Sequence, residues 1–213
     1  LCGDAGSVAD VDRLLDGAPV HLVNTDPPYN VRIEPTSGLR DGAYGGRAAL
    51  WAGARAKGVS AKDRRLTNDC LDHECYIEVL HAWFSNIARV LLPGRGFYIW
   101  GGYGNVGNYP PVLKACELYF SQAVIWVKEH PLLTRKDFMS NHDWCFYGWR
   151  EGAAHVFLGP NNATDVWSIK KVNPQSMIHL TEKPVELAVR AMQYSSRPGE
   201  NVLDLFGGSG STL

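Results

Sequence analysis

The chain has 213 residues, 45% of them hydrophobic, and a formal net charge of -1. That length and apolar share suit one α/β domain with a substantial core and exclude global disorder. No run approaches the roughly 20 apolar residues of a membrane span, and the opening Leu1-Cys2-Gly3-Asp4 lacks the charged-then-apolar pattern of a secretory signal.

Ser7 can cap a short helix whose apolar positions are Val8, Val11, Leu14 and Leu15, with Gly17 ending it. Residues 19–25, with Val20, Leu22, Val23 and Thr25, are too short and too β-branched a run for a helix and read as a buried strand. They run directly into Asp26-Pro27-Pro28-Tyr29. Residues 31–67 show no clear periodicity, and a run of that length inside a compact domain is usually functional or mobile. They carry eight basic residues against three acidic ones, a surplus that points to a polyanion contact. The expectation is a mobile basic flap that closes over a nucleic acid, with Arg32, Arg64 and Arg65 among its contacts.

A helical pattern occupies 72–92, with Ile77, Leu80, Phe84, Ile87 and Leu91 on one face. Pro93-Gly94 stops it, and 96–100 reads as the next strand. After a glycine-rich stretch, 111–118 reads as a short helix, and strands follow at 122–127 and 143–147. The segment 128–178 reads mostly as loop, with basic points at Lys128, Arg135, Lys136, Lys170 and Lys171. Pro184 suits the first position of a helix carrying Val185, Ala188, Val189 and Met192. Pro198-Gly199 turns the chain into a final strand at 201–205. Strand and helix alternate throughout, so the expected fold is a mostly parallel sheet covered by helices on both faces.

The five cysteines are odd in number and scattered, as reduced thiols in a cytoplasmic protein are. Cys70 and Cys75 have no second ligand pair at zinc-like spacing, so no metal is expected. The tryptophans at 83, 100, 126, 144 and 149 fall in predicted elements and are read mainly as core, and His142 and His155 as structural.

Two motifs sit where an α/β sheet binds ligands, outside the carboxyl ends of strands. The first is Leu205-Phe206-Gly207-Gly208-Ser209-Gly210-Ser211. Its glycines let backbone approach a ligand without a Cβ in the way. It lacks the Lys of a P-loop and the third Gly of a dinucleotide fingerprint, so it implies a nucleotide-like cofactor without naming one. The second is Asp26-Pro27-Pro28-Tyr29. An exocyclic amino nitrogen is a poor nucleophile because its lone pair is delocalised into the ring. A carboxylate and a fixed carbonyl facing its N–H groups would localise that pair and stabilise the charge that develops. The two prolines fix φ and aim the intervening carbonyls. A tyrosine ring stacks on a base, worth about 1–3 kcal/mol, and the base must leave the duplex to get there.

Asp26-Pro27-Pro28-Tyr29, His179-Leu180-Thr181-Glu182-Lys183-Pro184-Val185-Glu186-Leu187 and Leu203-Asp204-Leu205-Phe206-Gly207-Gly208-Ser209-Gly210-Ser211-Thr212 together resemble the amino-methyltransferases of DNA (N6-adenine or N4-cytosine). The catalytic motif precedes the cofactor loop, which is similar to the permuted β group of that family. The resemblance implies a Rossmann-like methyltransferase fold, S-adenosylmethionine as cofactor and double-stranded DNA as partner. It implies that Asp26 and the Pro27 carbonyl accept from the target amino group and that Tyr29 stacks on the flipped base, with Pro28 and Asn30 beside the DNA. It implies cofactor contacts from Thr181, Lys183, Asp204, Phe206, Gly208 and Gly210, and from Asp4 at a strand end near the adenine. The family sheet also has a strand after the helix that follows the glycine loop. The sheet is therefore expected to lack one strand, the chain being truncated at Leu213. No separate DNA-reading domain is evident, so recognition is expected from 128–178, from a short target site, or from a second subunit of a homodimer.

Asp in the first motif position, rather than the Ser common in cytosine N4 enzymes, favours adenine N6; cytosine N4 stays open because the pocket chemistry is the same. Cytosine C5 chemistry needs a nucleophilic Cys after Pro, and none of the 12 prolines is followed by Cys. A non-catalytic relic is the alternative from another class, and a dinucleotide oxidoreductase a third. The expected setting is the cytoplasm of a bacterium, from a bacterial or phage gene.

Overall fold

The computed structural model describes residues 2–30, 71–131, 137–172, 182–208 and 210–212. The basic segment with Arg32, Arg64 and Arg65, the cysteine at 70, and Thr181 lie outside the described residues. The first helix, α1 (Val8–Leu15), begins where the Ser7 side chain accepts the Asp10 N–H. Only Val11 of its apolar positions is buried, and Val8 and Leu14 face solvent. Strand β1 (Leu22–Thr25) is buried along its whole length.

Helix α2 (His73–Val90) starts at Asp72, whose carboxylate takes the Cys75 N–H at 2.9 Å. It lays Tyr76, Leu80, Trp83, Phe84 and Ile87 on the sheet, the period-3.6 face expected from its sequence. Pro93-Gly94 then turns the chain, with Gly94 at φ 76 and its N–H on the Arg150 carbonyl. There follow β2 (Gly96–Trp100), α3 (Tyr109–Ala115, opened by Pro110 and Pro111), β3 (Leu118–Val127), β4 (His142–Arg150) and β5 (Val166–Ser168). The chain closes with α4 (Val185–Ser195) and β6 (Val202–Leu203).

The sheet order is β5-β3-β4-β2-β1-β6. β1 pairs in parallel with β2 and β6, and β3 in parallel with β5; only β4 runs against its neighbours β2 and β3. The sheet is therefore mostly parallel, as expected. Alternate residues divide its core in two. Val23, Phe97, Ile99 and Phe146 pack with α2 and α3, while Leu22, Tyr98, Trp100, Cys145 and Tyr147 pack with α4. Arg95, at the foot of β2, donates to the His21 carbonyl before β1 and pairs with Glu200 before β6. Where β3 bulges between Phe120 and Gln122, Gly148 of β4 lies so close that a Cβ there would stand 1.8 Å from the Tyr119 carbonyl oxygen.

Two readings of the sequence need correction and one needs an addition. Gly3-Asp4 ends no strand: the Asp4 carboxylate takes the Gly6 N–H at 2.8 Å and its N–H reaches Asp10, folding the segment into a turn before α1. The 128–178 segment, mostly loop among its described residues and carrying the expected strand as β4, also holds a short edge strand, β5, that the sequence did not indicate. On α4 the buried stripe is Leu187, Ala188 and Ala191, while Val185 and Val189 are 56% and 43% exposed. The smaller residues let the helix sit close to β2, where Ser195 Oγ meets Tyr98 Oη at 2.9 Å. Among the described residues no helix is long and apolar enough to cross a membrane.

Candidate active site

The strands β1, β2, β3, β5 and β6 point the same way, so β1, β2, β3 and β6 deliver their following residues to one rim of the sheet. β4 runs oppositely and begins there. Asp26-Pro27-Pro28-Tyr29 leaves β1 at this rim, Gly101–Gly102 leaves β2, Lys128 follows β3, Asp143 opens β4, and the Asp204 turn leaves β6. Lys183 arrives just ahead of α4.

These residues meet around Tyr29. Lys183 Nζ pairs with Asp26 Oδ2 and donates to the Tyr29 hydroxyl at 2.9 Å. The same ammonium lies 5.2 Å from the Tyr29 ring centre and 5.3 Å from that of Trp100, within cation–π range. The Tyr29 hydroxyl makes a long hydrogen bond to Asp143 Oδ2 at 3.5 Å, and Lys128 Nζ stands 3.8 Å from that oxygen. Gly102, at φ 62, lies against the Tyr29 ring: a Cβ there would be 3.2 Å from it. Lysines and carboxylates thus alternate along one buried row.

Burial drives the electrostatics of this row. It raises the Asp26 carboxyl above the ordinary range, and the Lys183 ammonium offsets part of the rise. It pushes the Tyr29 hydroxyl well up, helped by the charges of Asp26 and Asp143, so the phenol stays protonated. It pushes Lys128 down, partly opposed by Asp143.

The backbone carbonyls of the motif are sorted. The Pro28 carbonyl accepts from Tyr76 Oη at 3.1 Å and the Tyr29 carbonyl from Asn105 Nδ2 at 3.1 Å. No described residue donates to the Pro27 carbonyl. Two buried side-chain atoms lack a partner among the described residues, Asp26 Oδ1 and Asn24 Oδ1. Both belong to β1 or its exit. A buried acceptor left unpaired costs about 1–3 kcal/mol, so these two oxygens are open to donors from outside the described residues.

Asn30 closes the motif in a left-handed conformation, φ 56. Its side chain grips the backbone of Leu71 at both ends, accepting from the N–H at 2.6 Å and donating to the carbonyl at 3.0 Å. The structure thus gives the residue expected beside DNA a bracing position. Asn30→Ala removes both bonds, and at about 1 kcal/mol net per bond it is expected to lower stability by about 1–2 kcal/mol in a urea melt.

On the glycine-loop side, Asp204 Oδ1 accepts from Thr25 Oγ1 at 2.7 Å and from the Phe206 N–H at 3.0 Å. Gly208 and Gly210 adopt φ 51 and φ 82, which excludes most side chains. The Phe206 ring meets Trp83 of α2 edge-on at 4.8 Å. The Asp4 turn packs nearby: Asn86 of α2 donates to the Ala5 carbonyl, and Gly6 lies beside Trp83.

The site includes residues that the sequence left unassigned. Lys128 stood only as one basic point among several, although its place just past a strand was a signal. Asp143 carried none, because its arrival depends on β4 running backwards. Asn24 and Asn105 also went unread. Lys183, expected on the cofactor side, touches Asp26 and Tyr29.

Comparison with known proteins then places the chain. The profile of the N6/N4 methyltransferase family, described as DNA methylase, matches residues 20–213. The chain belongs to this DNA methylase family. It is 24% identical over 218 residues to the type II methyltransferase M.HpaI of Haemophilus parainfluenzae, covering 92% of this chain and 60% of that protein. To M.HinfI of Haemophilus influenzae it is 22% identical, covering 94% and 57%. The chain thus spans about three-fifths of the length of these curated relatives. Among solved structures, the M1.HpyAVI–SAM complex superposes with a TM-score of 0.64 at 18% identity, over 100% of this chain and 84% of that one. The cytosine-N4-specific PvuII DNA methyltransferase does so with a TM-score of 0.64 at 15% identity, over 99% and 74%. Those likenesses establish the fold, which this chain shares with a protein described as cytosine-N4-specific.

Proposed function

We propose that the intact protein is an S-adenosylmethionine-dependent DNA methyltransferase acting on an exocyclic amino nitrogen, with adenine N6 as the target. The observation that carries this reading is Asp26 Oδ1, buried and without a partner among the described residues, next in the chain to Pro27, whose carbonyl no described residue bonds. An amino group has two N–H donors, and the pair offers two acceptors. Holding both would localise the nitrogen lone pair and stabilise the positive charge that develops as it attacks. Tyr29, its hydroxyl anchored by Lys183 and Asp143, keeps its ring in place for the extruded base.

The glycine turn fits the proposed cofactor. A side chain at Gly207 would meet nothing within 4 Å, Gly208 and Gly210 hold backbone shapes that glycine favours, and Asn24 Oδ1 is a second unpaired acceptor at the same rim. Asp204, Phe206, Gly208 and Gly210 would hold S-adenosylmethionine, with Asp4, Thr181 and Lys183 added by family resemblance. When bound, it supplies an electrophilic methyl group on a sulfonium. The protein's own task is to orient the amine, since positioning dominates such a reaction. Arg32, Arg64, Arg65, Pro28 and Asn30 are the proposed DNA contacts, 128–178 the target-reading region, and the cytoplasm the setting.

The test is transfer of a labelled methyl group from S-adenosylmethionine to duplex DNA, followed by digestion to nucleosides. Label in N6-methyladenine is the expected result. Label in N4-methylcytosine moves the target but keeps the chemistry, and no label in DNA overturns the reading.

A further inference from the structure

Lys183 stands just ahead of α4, at the rim where β1 and β2 end. Its side chain is only 10% exposed, and its ammonium is engaged by Asp26 Oδ2, by the Tyr29 hydroxyl and by the faces of Tyr29 and Trp100. Each contact is to a group that defines the reacting pocket, and the contacts come from the exits of β1 and β2. The carboxylate is left asymmetric: Oδ2 is taken and Oδ1 is bare.

We propose that Lys183 is a positioning residue for amino methylation, one that occupies Oδ2 of Asp26 and so presents Oδ1 as the acceptor for the target amino group. This rests on the reading of the site as an amino-methyltransferase pocket. Two consequences follow. The carboxylate cannot rotate about its Cβ–Cγ bond without breaking the ion pair, so its free oxygen holds one direction. Asp26 also stays an acceptor. A neutral carboxylic acid would turn a proton toward the pocket and lose the interaction that localises the amine's lone pair.

The groups that act on Asp26 are Lys183, Tyr29 and Asp143, and the Asp26 charge in turn reaches Lys128, Tyr109 and Cys145. Burial raises Asp26 and the Asp143 charge adds to the rise, whereas Lys183 is the cation that leads the opposition. Removing the Lys183 charge therefore moves Asp26 protonation to higher pH. The acid limb of activity must move in the same direction.

The experiment compares wild type, Lys183→Met, Lys183→Gln and Lys183→Arg in the intact protein. Single-turnover methyl transfer is measured from pH 5.5 to 9.5, with thermal midpoints taken at each pH. Lys183→Met and Lys183→Gln are expected to move the acid limb upward by about one pH unit or more, with losses of at least tenfold at the acid end that recover as the pH rises. Lys183→Arg, which keeps the charge, is expected to leave the limb near its wild-type position. A second readout does not depend on turnover: 13Cγ-labelled aspartate NMR, with the Asp26 resonance assigned by its disappearance in Asp26→Asn, is expected to show the same upward shift in both neutral variants. Either neutral variant that folds is sufficient. An equal loss at every pH, or an Asp26 titration that stays in place, overturns the proposal. If the wild type transfers no methyl group while the Asp26 resonance still shifts, the functional reading falls and the role of Lys183 in holding Asp26 stands.

Discussion

Asp26→Ala is expected to lower kcat for methyl transfer by about 10²–10³-fold, the range found when one preorganised group facing developing charge is removed. The loss should appear equally in kcat and kcat/KM, because the interaction strengthens as the nitrogen becomes positive and is weak in the ground state. Asp26→Asn separates shape from charge. The amide keeps the volume and offers one oxygen. It cannot balance the Lys183 ammonium, which would turn the amide oxygen toward itself and leave an N–H facing the amino group. Two donors would then oppose each other, so Asp26→Asn should be nearly as poor as Asp26→Ala. The measurement is single-turnover transfer at saturating DNA and cofactor. A rate within about threefold of wild type in either variant would remove the carboxylate from the chemistry.

The largest effect on the fold itself is expected from Gly148→Ala. A methyl group there would stand 1.8 Å from the Tyr119 carbonyl oxygen and 2.7 Å from Cζ of Phe97. The first of these is backbone of the neighbouring strand, at the β3 bulge, and cannot swing aside. Overpacking of this kind costs about 3 kcal/mol at the upper end of its usual range, against a total stability of about 5–15 kcal/mol. For a chain of this size the melting midpoint should fall by roughly 6–12 °C. Gly107→Ala is the control. That position has open space within 4 Å, and its midpoint should match the wild type. If Gly148→Ala melts with the wild type, the tight β3–β4 approach is not what the structure shows.

The sequence carried the parts of the fold that repeat within a short window. The apolar stripe of α2 and the wholly buried β2 were readable because burial imposes a period on consecutive residues. The two motifs were readable because parallel strands deliver ligand-binding residues at their carboxyl ends. What could not be read depends on residues far apart in the chain. β5 is three residues long and has no period of its own. It forms because β3 offers an edge. Asp143 reaches Tyr29 across 114 positions only because β4 runs backwards. Lys183 reaches Tyr29 across 154, and its local context, a lysine before Pro184 in a motif read as cofactor-side, does not tie it to Tyr29. The stripe on α4 was misjudged because two valines looked like core. Alanines do the packing there, where the helix needs to approach closely.

The Asn30 clasp also bears on how such a protein can diverge. Its amide holds Leu71 from both sides, so forty residues of chain begin and end at a single cross-link one position beyond the Tyr29 ring. The entropy of closing a loop grows only with the logarithm of its length. Adding or removing residues between Asn30 and Leu71 should therefore cost the clasp little, and the clasp itself lies in those two residues, with Asn30 one position beyond Tyr29.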